Sequence, residues 1–220
     1  MATQSFTAEL GDSNVERARD VGEGIAQALV SFFRRFQAWQ ARAAAAGGAS
    51  CFGVATLQEG VELRQAGIEH PVLVLGNLTQ PEELRTCLHW QLMPTLSGMR
   101  EALLCQNLAA GSGRPMAVHL KLDTGMSRLG APWQEGQRLV EAIAALEAVQ
   151  LAGVYSHLAD ADAPGAGLDP LTRQQQQQFE AVLTGLQQAG LPSGARHLAN
   201  SAATLRAYAE VIGNPNIAQS

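Results

Sequence analysis

Apolar and polar positions change rhythm along this 220-residue chain, and the changes mark out its elements. Residues 12–46 read as one long amphipathic helix: Val21, Ile25, Leu29, Phe32, Phe36 and Trp39 recur at spacings of three or four. From about residue 50 the pattern becomes regular. "CFGVAT" (51–56) is a short apolar run, and "LQEGVELRQAG" after it has helical spacing that ends at Gly67. "PVLVLG" (71–76) is continuously apolar, as expected of a strand covered on both faces. "TQPEELRTCL" predicts a helix with Thr79 as N-cap and with Pro81 and Glu82 in its first turn. "QLMPTL" is a weaker strand, and "SGMREALLCQNLAA" is a helix opened by Ser97. "PMAVHLKLDTG" is the next strand and "PWQEGQRLVEAIAALEAV" the next helix. "QLAGVYSHLA", a loop through "DADAPGAGLDP", and "LTRQQQQQFEAVLTGLQQAG" repeat the unit, with the glutamine run (174–178) expected on the solvated face. "ARHLAN" and "SAATLRAYAE" close the series.

About six strand–helix units in succession imply parallel pairing through crossover helices, hence an α/β fold. No glycine-rich dinucleotide loop follows any strand, which favours a (β/α) barrel over a doubly wound sheet. A closed eight-stranded barrel takes about 250 residues. The expectation is therefore an incomplete (β/α)8 TIM-type barrel preceded by a long N-terminal helix.

Composition narrows the function classes. Hydrophobic residues make up 46% and charged residues 16%, ordinary for a folded domain. The net charge of −5 and the scattered arginines exclude a basic face for nucleic acid or anionic lipid. No apolar run is long enough to cross a bilayer, and the N-terminus lacks the apolar core of a secretory signal, so a cytoplasmic protein is expected. Cys51, Cys87 and Cys105 fit neither a disulfide framework nor a paired-cysteine metal site, and read as buried thiols. "GSGRP" (111–115) lacks the lysine of a phosphate-binding loop and reads as a turn. His157, Asp160 and Asp162 form a loose candidate metal set with no further ligand apparent.

The chemistry concentrates in "VHLKLDTGMSRLG" (118–130), which holds Lys121, the only lysine of the chain. Side chains alternate along a strand, so Val118, Leu120 and Leu122 point one way, and His119, Lys121 and Asp123 the other. In a parallel barrel the polar set faces the interior, where charges are costly unless paired or bound to a ligand. A solvated sheet face is the alternative. Arg128 then lies just past the carboxyl end of the strand, where barrel active sites are built. His157 stands at the equivalent end of the following strand, as a structural or a functional imidazole. Asn200 and Ser201 occupy a strand-to-helix turn, either as an N-cap or as a phosphate cradle at a helix N-terminus.

Together "FGVATLQEGVELRQAGIEHPVLVLG", "VHLKLDTGMSRLG", "GVYSHLADAD" and "HLANSAATLR" resemble consecutive blocks of the pyridoxal-phosphate-dependent alanine racemases. The likeness implies a partial racemase barrel over residues 50–206, with a non-family helical segment 1–49 before it and a non-family tail 207–220 after it. It implies pyridoxal 5′-phosphate as cofactor, alanine as substrate, a role in supplying D-alanine for peptidoglycan, and homodimers among intact members. By the same resemblance Arg128 holds the cofactor's phenolic oxygen near the substrate carboxylate, and Lys121 is a carbamylated lysine that orients Arg128. His157 packs on the pyridine ring, and Asn200 and Ser201 meet the phosphate.

Other parts of the family pattern have no counterpart. The family carries its cofactor on a first-strand lysine and uses a tyrosine from a C-terminal domain as its second base. Lys121 belongs to a different block, Tyr155 lies in "GVYSHLA", and Tyr208 follows the last matching block. The expectation is a truncated or frameshifted copy, inactive as this chain alone. A non-catalytic cofactor-binding or interaction fragment is the alternative.

Overall fold

The computed structural model describes residues 37–162, 169–200 and 202–204. A helix α1 spans 37–46, so part of the long predicted helix is present. Residues 12–36, Ser201 and Tyr208 lie outside the described residues. Trp39, placed by its spacing on the apolar stripe, is 63% exposed, while Ala38 and Ala41 are buried instead. Small residues let the α1 backbone approach its neighbours, and the indole stays on the outside.

The strands are β1 (Phe52–Val54), β2 (Val72–Asn77), β3 (Met93–Leu96), β4 (Met116–Asp123), β5 (Ala131–Pro132), β6 (Val149–Tyr155) and β7 (Ala195–His197). The helices between them are α2 (Leu57–Gln65), α3 (Pro81–Trp90), α4 (Met99–Ala110), α5 (Gly136–Ala144, after a single 3-10 turn) and α6 (Pro170–Gln188). The main sheet runs β1-β2-β3-β4-β6-β7, with β5 a short appendage of β4. Its pairings are parallel. This is the expected parallel half-barrel, with the helices as crossovers.

Alternation along the strands sorts the two faces. Val72, Val74, Leu96, Val118, Leu120, Leu122 and Val154 join Leu84, Cys87, Cys105, Ile143 and Leu186 of the helices in one apolar core. Leu73, Met93 and Tyr155 make a smaller cluster on the opposite, inner face. Burying a side chain the size of leucine is worth about 1.5–3 kcal/mol, so the helix-side core is the main source of stability. Cys87 and Cys105 are buried as expected and Cys51 is half-buried; all three are free thiols.

Local details differ from the pattern. The N-cap of α3 is Gln80 rather than Thr79. The Glu83 carboxylate accepts from the Thr79 and Gln80 amides, so a side chain inside the helix does the capping. The N-cap of α4 is Gly98, and the Ser97 hydroxyl is buried without a partner. On α6 the buried stripe includes Thr172, Gln175, Phe179, Val182 and Leu186. The glutamine run is thus not wholly solvated: its second member is fully buried.

Candidate functional site

The carboxyl ends of β4, β6 and β7 bring the sequence-predicted residues to one end of the half-barrel. Lys121 projects from the inner face of β4 and is 5% exposed. Its Nζ lies 5.4 Å from the centroid of the Tyr155 ring, a cation–π distance. Tyr155 is itself buried, its hydroxyl 2.8 Å from Thr95 Oγ1, which donates to Val74 O at 2.7 Å. Burial pushes the Tyr155 phenol up to about 12, so it stays neutral. Lys121 therefore has a rigid aromatic wall on one side.

Past the strand the chain folds back sharply. Asp123 Oδ1 accepts from the Gly125 amide at 3.0 Å and the Ser127 amide at 2.9 Å, which closes the turn. Ser127 takes a left-handed conformation (φ 54°), uncommon for a residue with a side chain. Gly130 (φ 115°) returns the loop onto β4: a Cβ there would lie 2.9 Å from the Asp123 amide nitrogen and 3.2 Å from Lys121 Cγ. No larger residue fits that contact. The result is a tight loop that holds Arg128, exposed, over the end of the strand.

Arg128 and Lys121 share one electrostatic field. Burial lowers the Lys121 amine below its ordinary value, the Arg128 guanidinium lowers it further, and Asp123 opposes them. His157, half-buried at the end of β6, is lowered by burial, then by Lys121 and Arg128. The structure thus brings Lys121, Asp123, Arg128 and His157 within electrostatic reach of each other. Asp123 is the counter-charge, and one of its oxygens already serves two amides.

Asn200 follows β7 and caps the turn after it. Its Oδ1 accepts from the Ala203 amide at 2.9 Å, and its amide donates to Leu158 O at 3.2 Å. The side chain is thus committed to the helix N-terminus and to the β6 exit. The Ala203 and Thr204 amides are committed as well, to Asn200 Oδ1 and Asn200 O.

Deeper on the inner face lie His119, placed there by the alternation of β4, and His197, which the sequence pattern does not single out. His119, 2% exposed, stacks on His197 with ring centroids 5.4 Å apart, and their Nε2 atoms are 3.4 Å apart. Gly153 makes this possible, because a Cβ there would lie 2.5 Å from His119 Nε2 and 2.5 Å from Ala195 O. Burial first, and His197 second, push His119 down to about 4. A cavity of about 620 Å³ opens beside them, lined by Cys51, Leu73, Leu75, Tyr155 and His197 among others. The alternation of polar residues along β4 is the available signal for His119. Its pairing with His197, 78 residues away, is invisible without the β6 register.

Among the described residues no group of three or more His, Cys, Asp or Glu side chains converges as a metal site, so His157, Asp160 and Asp162 do not form one. No helix among them is long and apolar enough to cross a membrane.

The family profile described as "Alanine racemase, N-terminal domain" matches residues 37–213. An alanine racemase of Prochlorococcus marinus is 51% identical over 167 residues, covering 76% of this chain and 43% of that protein. One from Synechocystis is 45% identical over 169 residues, covering 77% and 45%. Among solved structures, the alanine racemase of Clostridium difficile in complex with cycloserine superposes with a TM-score of 0.69 at 29% identity, covering 74% of this chain and 44% of that one. The chain spans less than half the length of these relatives.

Proposed function

The chain belongs to the alanine racemase family through its N-terminal domain, and on that premise we propose that its half-barrel binds pyridoxal 5′-phosphate at the carboxyl ends of β4, β6 and β7. The observation that carries this reading is the imbalance of charge at that end. Lys121 and Arg128 press on each other and on His157, with Asp123 opposing. An anion at Lys121, such as a carbamate, relieves that repulsion from within the chain, and Arg128, exposed at the rim, offers its planar donors to the phenolic oxygen of the cofactor. The donor set therefore fits the group's phenolic oxygen.

When bound, this cofactor supplies an electron sink for the charge left on a substrate's α-carbon after proton loss. The chain's own residues position and polarise. Arg128 is permanently charged and offers planar donors to an oxygen anion or a carboxylate. His157, held neutral near pH 7 by burial and its cationic neighbours, presents an uncharged ring face to a flat ligand. By the family resemblance Asn200 lies beside the phosphate, with Ser201 next in sequence; the Asn200 carboxamide is already paired with Leu158 O and the Ala203 amide.

Lys121 acts through Arg128. A lysine with a lowered pKa carries more neutral amine, and that amine adds to carbon dioxide, forming an N–C bond and releasing one proton. The product carbamate is an anion beside Arg128, which turns a repulsive contact into an ion pair and fixes the guanidinium. The same commitment removes the chain's only lysine as a covalent anchor for the cofactor. Non-covalent cofactor binding without racemisation of alanine by this chain alone is the consequence.

Titration with pyridoxal 5′-phosphate, followed by visible absorbance and by borohydride reduction with peptide mapping, tests this reading. Saturable binding weakened in Arg128→Ala, with no pyridoxyl label on Lys121 and no conversion of L-alanine, is the expected result. A label on Lys121 or measurable D-alanine overturns the non-covalent reading, and no saturable binding overturns the site. Carbon-13 NMR in labelled bicarbonate checks the carbamate: its resonance should vanish in Lys121→Ala.

A further inference from the structure

We propose that Gln175 is a positioning residue for this site: its buried amide fixes the β4 exit that carries Arg128 against the β6 exit that carries His157. The inference rests on the proposed cofactor site only for what is bound there.

Gln175 lies on the buried stripe of α6 between Thr172 and Phe179, and is fully buried. A polar group in such a stripe costs several kcal/mol unless its donors and acceptor are satisfied. They are. Oε1 accepts from the Ala159 amide at 2.9 Å. Nε2 donates to His157 O at 3.0 Å and to Thr124 Oγ1 at 3.4 Å. Thr124 Oγ1 in turn lies 2.7 Å from Ser156 Oγ.

The partners define the role. Thr124 begins the loop that ends on Arg128, while His157 and Ala159 are the residues by which β6 leaves the sheet. Gly125 packs on the stem: a Cβ built there would lie 3.4 Å from Gln175 Cγ. One side chain from a helix behind the sheet therefore ties together two loops in front of it. The task needs one acceptor and two donors on a flat head, which among the side chains of this length is a carboxamide. Methionine fills the space but leaves the Ala159 amide and His157 carbonyl unpaired. An ionised glutamate cannot donate to His157 O.

Three variants of the full chain test this: Gln175→Met, Gln175→Glu, and Val182→Ala as a control that opens a cavity on the same stripe. Nitrogen-15 spectra of histidine-labelled protein, taken well below melting, follow the His157 ring without any ligand. Both Gln175 variants should shift and broaden the His157 signals, and the control should leave them as in the unmodified chain. Pyridoxal 5′-phosphate affinity should fall about tenfold in both variants, the loss of roughly one buried hydrogen bond's worth of ordering. His157 signals that stay put in both Gln175 variants, with melting lowered as in the control, would overturn the proposal. If Gln175→Met does not fold, the near-isosteric Gln175→Glu decides. Should the unmodified chain bind no cofactor, the cofactor site fails while the nitrogen-15 result still decides the role of Gln175.

Discussion

Replacing His119 by glutamine should flatten part of the acid limb of the chain's stability curve. His119 is buried against His197 and Tyr155, and burial with the facing His197 pushes it from 6.5 to about 4. The folded state therefore binds this proton more weakly than the unfolded chain. Stability from keeping His119 neutral is fully present above the unfolded value and is lost as pH falls from about 6.5 towards 4. Each tenfold difference in proton affinity is worth about 1.4 kcal/mol, so the full loss is ~3 kcal/mol, of which ~2 kcal/mol is felt by about pH 5. Against a usual total of about 5–15 kcal/mol that is a large share. The assay is urea unfolding of the original chain and His119→Gln at several pH values between about 5 and 7.5. Carboxylates titrate alike in both proteins, so the difference in slope isolates the imidazole. The original chain should lose ~2 kcal/mol more than the variant over that range. Parallel stability curves would refute the claim that His119 is neutral because it is buried. His197→Gln should remove only part of the slope due to His119, since the facing ring is the lesser cause, together with the slope that His197 contributes through its own burial.

Arg64 donates to four backbone carbonyls, of Ile68, His70, Trp90 and Gln91, and so joins the ends of α2 and α3 to the starts of the next strands. Arg64→Ala should cost about 2–4 kcal/mol by thermal or urea unfolding, and Arg64→Lys should recover less than half, because an ammonium cannot span that fork. Gly153→Ala forces a Cβ to 2.5 Å from both Ala195 O and His119 Nε2, so it should cost about 3 kcal/mol or prevent docking of β7, read by hydrogen exchange at Arg196 and His197. The pH midpoint for acylation of Lys121, followed by peptide mapping, should lie below the free-lysine value of 10.5 and rise in Arg128→Gln. An unchanged midpoint in that variant would show that the two cations do not sense each other.

What is legible in the sequence is whatever depends on period. The apolar and polar alternation of β4 places Leu120 with the helices and Lys121 on the inner face, because a two-residue repeat leaves a strand no other choice. The continuous apolar run of β2 announces a strand covered on both sides, and this holds in part: Val72 and Val74 are fully buried on the helix side and Leu73 on the inner side, but Leu75 on that inner side is 37% exposed. Capping is less legible, because it depends on where a carboxylate three or four residues on can reach. Thr56 and Glu59 form a capping box at the start of α2, a pairing that helical spacing alone does not announce. Thr79 looks as good as a cap, yet Glu83 reaches back and moves the boundary to Gln80. Least legible are contacts set by register between distant strands. Nothing near His119 points to His197, since that pairing exists only because Gly153 lies between them with no side chain. Gln175 is hidden for a related reason: five glutamines in a row look alike, and only the helical phase set by Phe179 and Val182 turns one of them inward. A glutamine turned inward without partners would destabilise the helix docking, so its three hydrogen bonds are a condition of the fold. The candidate site follows the same division. Its residue types can be named from the strand ends, whereas the field that couples Lys121, Arg128 and His157 depends on how closely β4 and β6 pack at their carboxyl ends.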